Sequence, residues 1–470
     1  MSMFKGFSNA FKIPELRKKI LITLGLVAVC RLVSFIPLPG VNTAAIADAL
    51  KAFMANAATT SAADAIYNFL ETATGGATAQ CAIGVLSIWP YISASIVIQL
   101  LTSVIPYLGN LRKEGESGRQ KISQITRYLT IAICVVQSAF IGVALMTNPG
   151  SIHPAFAGSQ IVNPGAVGVG FVIMTVLTIT TSSLLVMWIA DQITTFGIGN
   201  GGSLIIMINI TSRLPDAIIS AWEQYFGHTV QSQRNPVELV LLLIFGFLVV
   251  MGTVMLTQGV RKVAIHATRR AMGGGNSFGM QQTFMPLRVN YTGVMPIIFA
   301  GPLIVAFAFV LKLAPENHGA VLAAIHNFGV KLADSLTWQH LVVYAVMIMF
   351  FAFFWVATQF NAVEISENLK KDGSYVPGIR PGLATAEYLD ALMTRITLIG
   401  GCGLLVIALL PQILMGWMNI NWNIASFFGG TSLLIIVGVA LDTLRIMESH
   451  LLVRKYDGFL RHGTLRGRHG

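Results

Sequence analysis

Few residues in this 470-residue chain are placed to do chemistry. Two ionisable side chains, Arg31 and Asp442, fall inside long apolar stretches. Ionisable groups at membrane depth commonly carry a coupled proton or ion, so a relay between them is one reading. Local pairing or snorkelling toward the surface is the plainer one. The four cysteines, Cys30, Cys81, Cys134 and Cys402, lie far apart with no CxxC spacing, which argues against disulfide and metal sites alike. Nine scattered histidines form no HExxH pattern, so zinc chemistry is not expected. The stretch Gly197-Ile198-Gly199-Asn200-Gly201-Gly202 has the shape of an anion cradle at a helix start. It lacks the GK[ST] of a phosphate loop, and a tight turn between two helices is expected instead. The inventory predicts no catalytic residue, no metal and no cofactor.

The elements that would position these residues are read from composition. Asp, Glu, Lys and Arg make up 11% of the chain and hydrophobic residues 54%, against about 25% charge in an average soluble protein. That is too little charge to cover a soluble enzyme of this size, and too much aliphatic mass for a disordered chain. One anchor of about 20 residues would leave the rest with ordinary composition, which it does not have. A polytopic membrane protein remains. Ten apolar runs are candidate spans, at roughly 20–37, 81–103, 128–147, 167–190, 198–212, 237–257, 293–312, 341–360, 394–414 and 428–445. The basic, amphipathic stretch before the first run, without a small-residue cleavage site after it, reads as an uncleaved first span with a cytoplasmic N-terminus.

The net charge of +11 is then topological rather than a sign of nucleic-acid binding. With ten spans, 25 of the 31 lysines and arginines fall on the side of the two tails, Arg395 and Arg445 at span ends among them; five fall opposite, Lys312 at a span end among them; and Arg31 lies within the first span. Lys and Arg gather in cytoplasmic loops, so the split places both termini in the cytoplasm. It gives a cytoplasmic tail 1–19, an N-terminal half 20–212, an external linker 213–236, a C-terminal half 237–445 and a cytoplasmic tail 446–470. Two five-span halves of opposite orientation would form an inverted repeat. Ala44–Ala79 is too apolar for a solvated loop and too weak for a span, which suits a short helix tucked into the protein. The cytoplasmic loop 258–292 has five basic residues, no acid, and a glycine-rich tip at Met272-Gly273-Gly274-Gly275-Asn276. Loop 361–393 carries mixed charge. An acid-free loop exceeds what orientation requires, so it is either a topology determinant alone or a docking surface for a partner or for anionic lipid.

Seven stretches together resemble the SecY family. They are Arg31-Leu32-Val33-Ser34-Phe35-Ile36-Pro37-Leu38-Pro39-Gly40, Pro90 to Leu101, Lys113-Glu114-Gly115-Glu116-Ser117-Gly118-Arg119, Gly197-Ile198-Gly199-Asn200-Gly201, Pro286-Leu287-Arg288-Val289-Asn290, Val376-Pro377-Gly378-Ile379-Arg380-Pro381-Gly382 and Gly429 to Ile435. They occur in family order over nearly the whole chain. The resemblance implies an all-α membrane protein of ten transmembrane helices, in two inverted five-helix halves around a central hourglass pore. It also implies a bacterial plasma-membrane channel that is not itself an enzyme. Such a channel passes unfolded preproteins and releases hydrophobic segments into membrane lipid. The partners implied are SecE, SecG, the SecA motor, the ribosome with its rRNA, and signal peptides.

The same resemblance assigns residues. The pore ring would be Ile88, Ile92, Ile206, Ile210, Ile298 and Ile435, bulky uncharged side chains that seal by dewetting and deform around any substrate. A plug would lie at about 65–79, including Ala65, Tyr67, Phe69, Gly75 and Gly76, with the two glycines as its turn. Glu71-Thr72-Ala73-Thr74 looks like an insertion relative to the family pattern. A lateral gate would carry Gln99 and Asn290. Arg261, Lys262, Arg269, Arg270 and Arg380 would dock SecA or the ribosome, with Arg288 nearer the membrane. Pro377 and Pro381 would hold the Arg380 turn stiff.

Overall fold

Helices account for all ten expected runs in the computed structural model, which describes residues 13–55, 71, 74–165, 167–226, 236–267, 282–312, 320–334, 337–418, 420, 422–425, 427 and 429–462. In chain order they begin with α1 (Pro14–Val33), α2 (Thr43–Ala55), α3 (Trp89–Val104), α4 (Pro106–Lys113), α5 (Glu116–Thr147), α6 (Val169–Phe196), α7 (Gly201–Thr211), α8 (Leu214–Phe226) and α9 (Pro236–Gln258). After α9 come strands β1 (Val260–Ala267) and β2 (Gln282–Arg288), then α10 (Met295–Lys312), α11 (Ala320–Ala333), α12 (Trp338–Gln359) and α13 (Ala362–Lys371). The short β3 (Ser374–Tyr375), α14 (Leu383–Met418), α15 (Trp422–Ala425) and α16 (Gly430–His462) complete the order. Among the described residues, seven helical stretches are long and apolar enough to cross a membrane, or eight if the pair Trp89–Thr102 and Pro106–Arg112, bent by 101°, is one span. The first and seventh expected spans are also helices, α1 of 20 residues and α10 of 18.

Their packing inverts that of a soluble helix. Along the middle of α5 a row of buried positions is small or weakly polar, Thr126, Thr130, Cys134, Ser138 and Gly142, one helical turn apart. They face α6, where Thr175 and Ser182 are buried, and Ser138 and Thr180 hydroxyls lie 3.3 Å apart. The opposite face exposes Tyr128, Val136 and Phe140. Small residues let two helices approach closely when lipid offers the outer face an apolar solvent. A soluble protein would not expose so much apolar surface.

The described residues fall into two compact units. One runs to Pro215 and takes in the chain from Gly438; the other is Asp216–Val437. In the first, one core gathers Ile46, Cys81, Leu145, Phe156, Ile161 and Ile179, and a second gathers Cys30, Ile88, Ile189, Ile193, Leu204 and Ile205. The turn from α6 to α7 is set by sequence. Asn200 caps α7, its Oδ1 accepting from the Ser203 N–H at 3.2 Å, as a good N-cap residue does. Gly201 must be glycine, because a Cβ there would stand 2.0 Å from the Ala190 carbonyl oxygen. The expected tight turn is therefore what the glycine-rich stretch makes.

Three features depart from expectation. The second span was expected from residue 81, but α3 begins at Trp89. Residues 81–83 instead run beside the end of α1: the Leu38 N–H donates to the Cys81 carbonyl at 3.0 Å and the Ile83 N–H to the Ile36 carbonyl at 2.8 Å. An apolar run does not distinguish a buried extended segment from a helix. The last two spans run on past their expected ends as α14 and α16, and Pro411 lies inside α14. Finally, the chain is not wholly α. β1 pairs antiparallel with β2, from Val260 opposite Arg288 to His266 opposite Gln282, and β3 joins on the other side, His266 opposite Tyr375. The alternation that drives this is visible in Val263 and Ile265, both buried, between exposed or half-buried neighbours. Pro286 sits in the edge strand β2, where a missing N–H costs no ladder bond.

Candidate functional site

In the first unit, a polar cluster forms around the Gly75-Gly76 turn. Both glycines have left-handed backbone, at φ +66° and +89°. The Arg31 guanidinium, at the end of α1, donates to the Gly75 carbonyl from both Nη atoms at 3.4 Å, and to Asn209 Oδ1 on α7 at 3.3 Å. It also lies over the Phe35 ring, 5.3 Å from the centroid. Asn209 is 1% exposed and its Nδ2 donates to Ser87 Oγ at 3.1 Å. A Cβ at residue 75 would stand 2.4 Å from Arg31 Nη1 and 3.1 Å from the Asn209 carbonyl. Only glycine combines this backbone with this close approach. Asp442 pairs elsewhere, with Arg445 one turn on at 3.7 Å. In place of the relay considered from sequence, Arg31 reaches Gly75 and Asn209, and Asp442 pairs along its own helix.

A second set of contacts holds the other end of the turn. The Gly76 N–H donates to the Glu71 carbonyl at 2.9 Å, and the buried hydroxyls of Thr74 and Thr78 lie 2.9 Å apart. The Glu71 carboxylate meets Arg213, in the turn after α7, and His153 Nε2, 3.6 Å away in the connection from α5 to α6. The Ala155 N–H donates to His153 Nδ1 at 3.1 Å, which makes Nδ1 the acceptor and puts a proton on the Nε2 that faces Glu71. Burial opposes the charge on Glu71, but the His153 hydrogen bond and the Arg213 charge outweigh it and hold its carboxyl below the usual range. A carboxylate lowered in this way contributes stability at every pH above its ordinary value near 4.5, and loses it as pH falls through the lowered one. At neutral pH the pair is whole.

Sequence reasoning named Gly75 and Gly76 but missed Glu71, His153, Asn209 and Arg213. Two signals were present. Asn209 is a lone amide among Ile206, Ile208 and Ile210, and Arg213 is one of five basic residues on the charge-poor side. Ala65, Tyr67 and Phe69 lie outside the described residues.

Of the six isoleucines, Ile88, Ile92 and Ile206 share one hydrophobic core of the first unit. Ile88 is 1% exposed, Ile92 and Ile206 are partly exposed, and Ile210 is buried one turn beyond Ile206. Ile298 and Ile435 belong to the second unit, next in sequence to the core residues Ile297 and Leu434. Gln99 is exposed on α3, and its carbonyl accepts from Thr102 Oγ1 at 2.6 Å. Asn290 is buried in the turn after β2, its Oδ1 accepting from Thr292 at 3.4 Å.

The two projecting loops of the second unit are one block. Beyond the β1–β3 pairing, a single core holds Val263 and Leu287 from the strands, Val376 from the turn, and Leu389 and Met393 from α14, with Ile379 packed against it. On this base Arg261, Lys262, Arg288 and Arg380 are all exposed. The Arg380 turn is held by its backbone: the Ile379 N–H donates to the Val376 carbonyl at 3.2 Å, and Thr385 Oγ1 to the Arg380 carbonyl at 2.9 Å. Its guanidinium is presented outward from a fixed turn. Arg269 and Arg270 lie outside the described residues.

A model of the SecY family matches residues 82–444. The chain belongs to the SecY family. The protein translocase subunit SecY of Streptomyces scabiei is 38% identical over 459 residues, covering 98% of this chain and 100% of that protein. Among solved structures, one of a protein conducting channel matches with a TM-score of 0.57 at 14% identity, covering 96% of this chain and 95% of that one. Another is of a SecY protein whose plug domain stabilises the closed state of the translocation channel and maintains a membrane seal; its TM-score is 0.53 at 16% identity, covering 96% and 95%. Sec61 in the canine ribosome-channel complex also matches, with a TM-score of 0.53 at 15% identity and the same coverage. At such identities the structures speak for the fold, which is that of the SecY and Sec61 channels. SecY-family membership makes the apolar helices membrane spans and the function conduction rather than catalysis.

Proposed function

We propose that this chain is the central subunit of a Sec translocation channel, passing unfolded preproteins across a bacterial plasma membrane and releasing hydrophobic segments sideways into lipid. The observation that carries this is full-length likeness to a translocase subunit, with nothing of that relative left uncovered. The exposed apolar helix faces and the channel fold agree with it.

The finer assignments follow physically. Ile88, Ile92, Ile206, Ile210, Ile298 and Ile435 line the constriction, where aliphatic side chains exclude ions by dewetting. Residues 65–79 are the plug, and Gln99 and Asn290 are polar groups of the lateral gate, where interhelical polar contacts of about 0.6 kcal/mol suit a seam that opens. The halves are 20–212 and 237–445, joined outside by 213–236, with tails 1–19 and 446–470 in the cytoplasm. The 25-to-five charge split supports that orientation. Loops 258–292 and 361–393 then face the cytoplasm, and Arg261, Lys262, Arg269, Arg270 and Arg380 engage SecA or ribosomal RNA. Fixed guanidinium groups on a rigid block suit both acidic side chains and phosphates. SecE and SecG complete the complex.

Depletion and replacement tests this in cells. Bacteria whose own SecY is shut off accumulate uncleaved preproteins. Expression of this chain with its cognate SecE and SecG is expected to clear them. Undiminished accumulation, with the chain stably in the membrane, would contradict the assignment.

A further inference from the structure

Glu71, His153 and Arg213 have no place in conduction as described so far, yet all three are largely buried, with side-chain exposures of 14%, 5% and 20%. A carboxylate in such a place is costly unless its partners stay in reach. The partners sit on framework: Arg213 directly follows α7, its N–H bonded to the Ile210 carbonyl at 3.2 Å, and His153 is fixed by its bond from Ala155. Glu71 instead belongs to the segment that includes the buried Thr74, turns at Gly75 and Gly76 and continues through the buried Ala77, Thr78 and Ala79.

We propose that Glu71 with Arg213 and His153 is a charge latch that keeps this segment closed, and that opening requires the carboxylate to leave both partners. The inference rests on the reading of residues 65–79 as the plug, and adds which side chains hold it. Two grips of different kind act on either side of the turn. Arg31, itself held by Asn209 Oδ1, grips the main chain at Gly75 through a carbonyl that every sequence supplies. Glu71 holds by its side chain, so this grip is specific to the residue at position 71. It lies in the stretch that reads as an insertion against the family pattern. An ion pair suits a reversible latch: once the segment moves out, water solvates the separated charges and the cost of separation falls.

The test is the ion conductance of the full-length chain with its partner subunits in planar bilayers, without substrate or motor. Glu71→Gln keeps shape and removes the charge; Arg213→Gln removes the opposing one. Each is expected to raise the resting open probability, Glu71→Gln roughly tenfold because it loses both partners and Arg213→Gln no more than that, and the double variant no further than Glu71→Gln alone, because the Arg213 contact is already gone in it. His153→Gln, which removes the longer contact, is expected to give a smaller rise and serves should Arg213→Gln fail to insert. Deletion of 65–79 is run beside them. If the deletion raises conductance while Glu71→Gln leaves it unchanged, or if the two charge removals add independently, the latch is wrong and the plug reading stands. If the deletion itself changes nothing, the plug reading fails.

Discussion

Arg380→Glu is expected to stop SecA-driven translocation while leaving the chain stably inserted. The guanidinium is exposed, so its replacement disturbs no core. The turn is held by main-chain groups, the Ile379 N–H and the Arg380 carbonyl, which any side chain at 380 retains. Val376 and Ile379 keep the turn packed on the sheet. What changes, on the proposed docking, is the sign of the charge that meets the partner. Losing an interfacial charge pair costs about 2–5 kcal/mol, and a like-charge contact adds more, so a fall of at least roughly a hundredfold in translocation rate follows. The measurement is preprotein import into inverted vesicles at equal amounts of inserted channel. Import within twofold of the unsubstituted chain would reduce the turn to a structural element. Lys262→Glu, on the same block, is expected to act in the same direction but less, since it stands on a strand with neighbouring exposed cations.

The second large effect concerns the seal. Ile92→Ser with Ile206→Ser is expected to raise the resting ion conductance of the reconstituted channel severalfold or more. If these positions form the proposed ring, a hydroxyl at each gives water a partner where isoleucine gives none, and a wetted constriction conducts. These two are better targets than Ile88, which is buried in the core; truncating a buried isoleucine costs about 2–5 kcal/mol through the cavity left behind, and would confuse loss of seal with loss of fold. Unchanged conductance with normal insertion would remove Ile92 and Ile206 from the constriction.

Much of the architecture was legible because the bilayer is a demanding solvent. Each expected apolar run contains a helix, since a chain in hydrocarbon must satisfy its own backbone groups. The Arg380 turn was legible for a local reason, two prolines and two glycines within seven residues. What escaped is non-local. His266 and Tyr375 pair across more than a hundred residues, and nothing in either stretch announces the other. The β1–β2 hairpin escaped differently: its alternation was present, but its basic residues drew the reading toward charge. Arg31 was visible and misjudged. A cation at the end of a span ordinarily snorkels, whereas this one turns to a carbonyl 44 residues away. Glu71 was seen only as part of an insertion and Arg213 only as a loop charge, because a contact over 142 residues leaves no trace in one sequence.

The most direct measurement is translocation in a defined system. Liposomes carrying this chain with SecE and SecG are given SecA, ATP and an unfolded preprotein, then protease. The account predicts protease-protected preprotein that accumulates with time, requires ATP, and vanishes when detergent opens the vesicles. No protected preprotein above the level of liposomes lacking this chain, with the complex inserted and assembled, would contradict it.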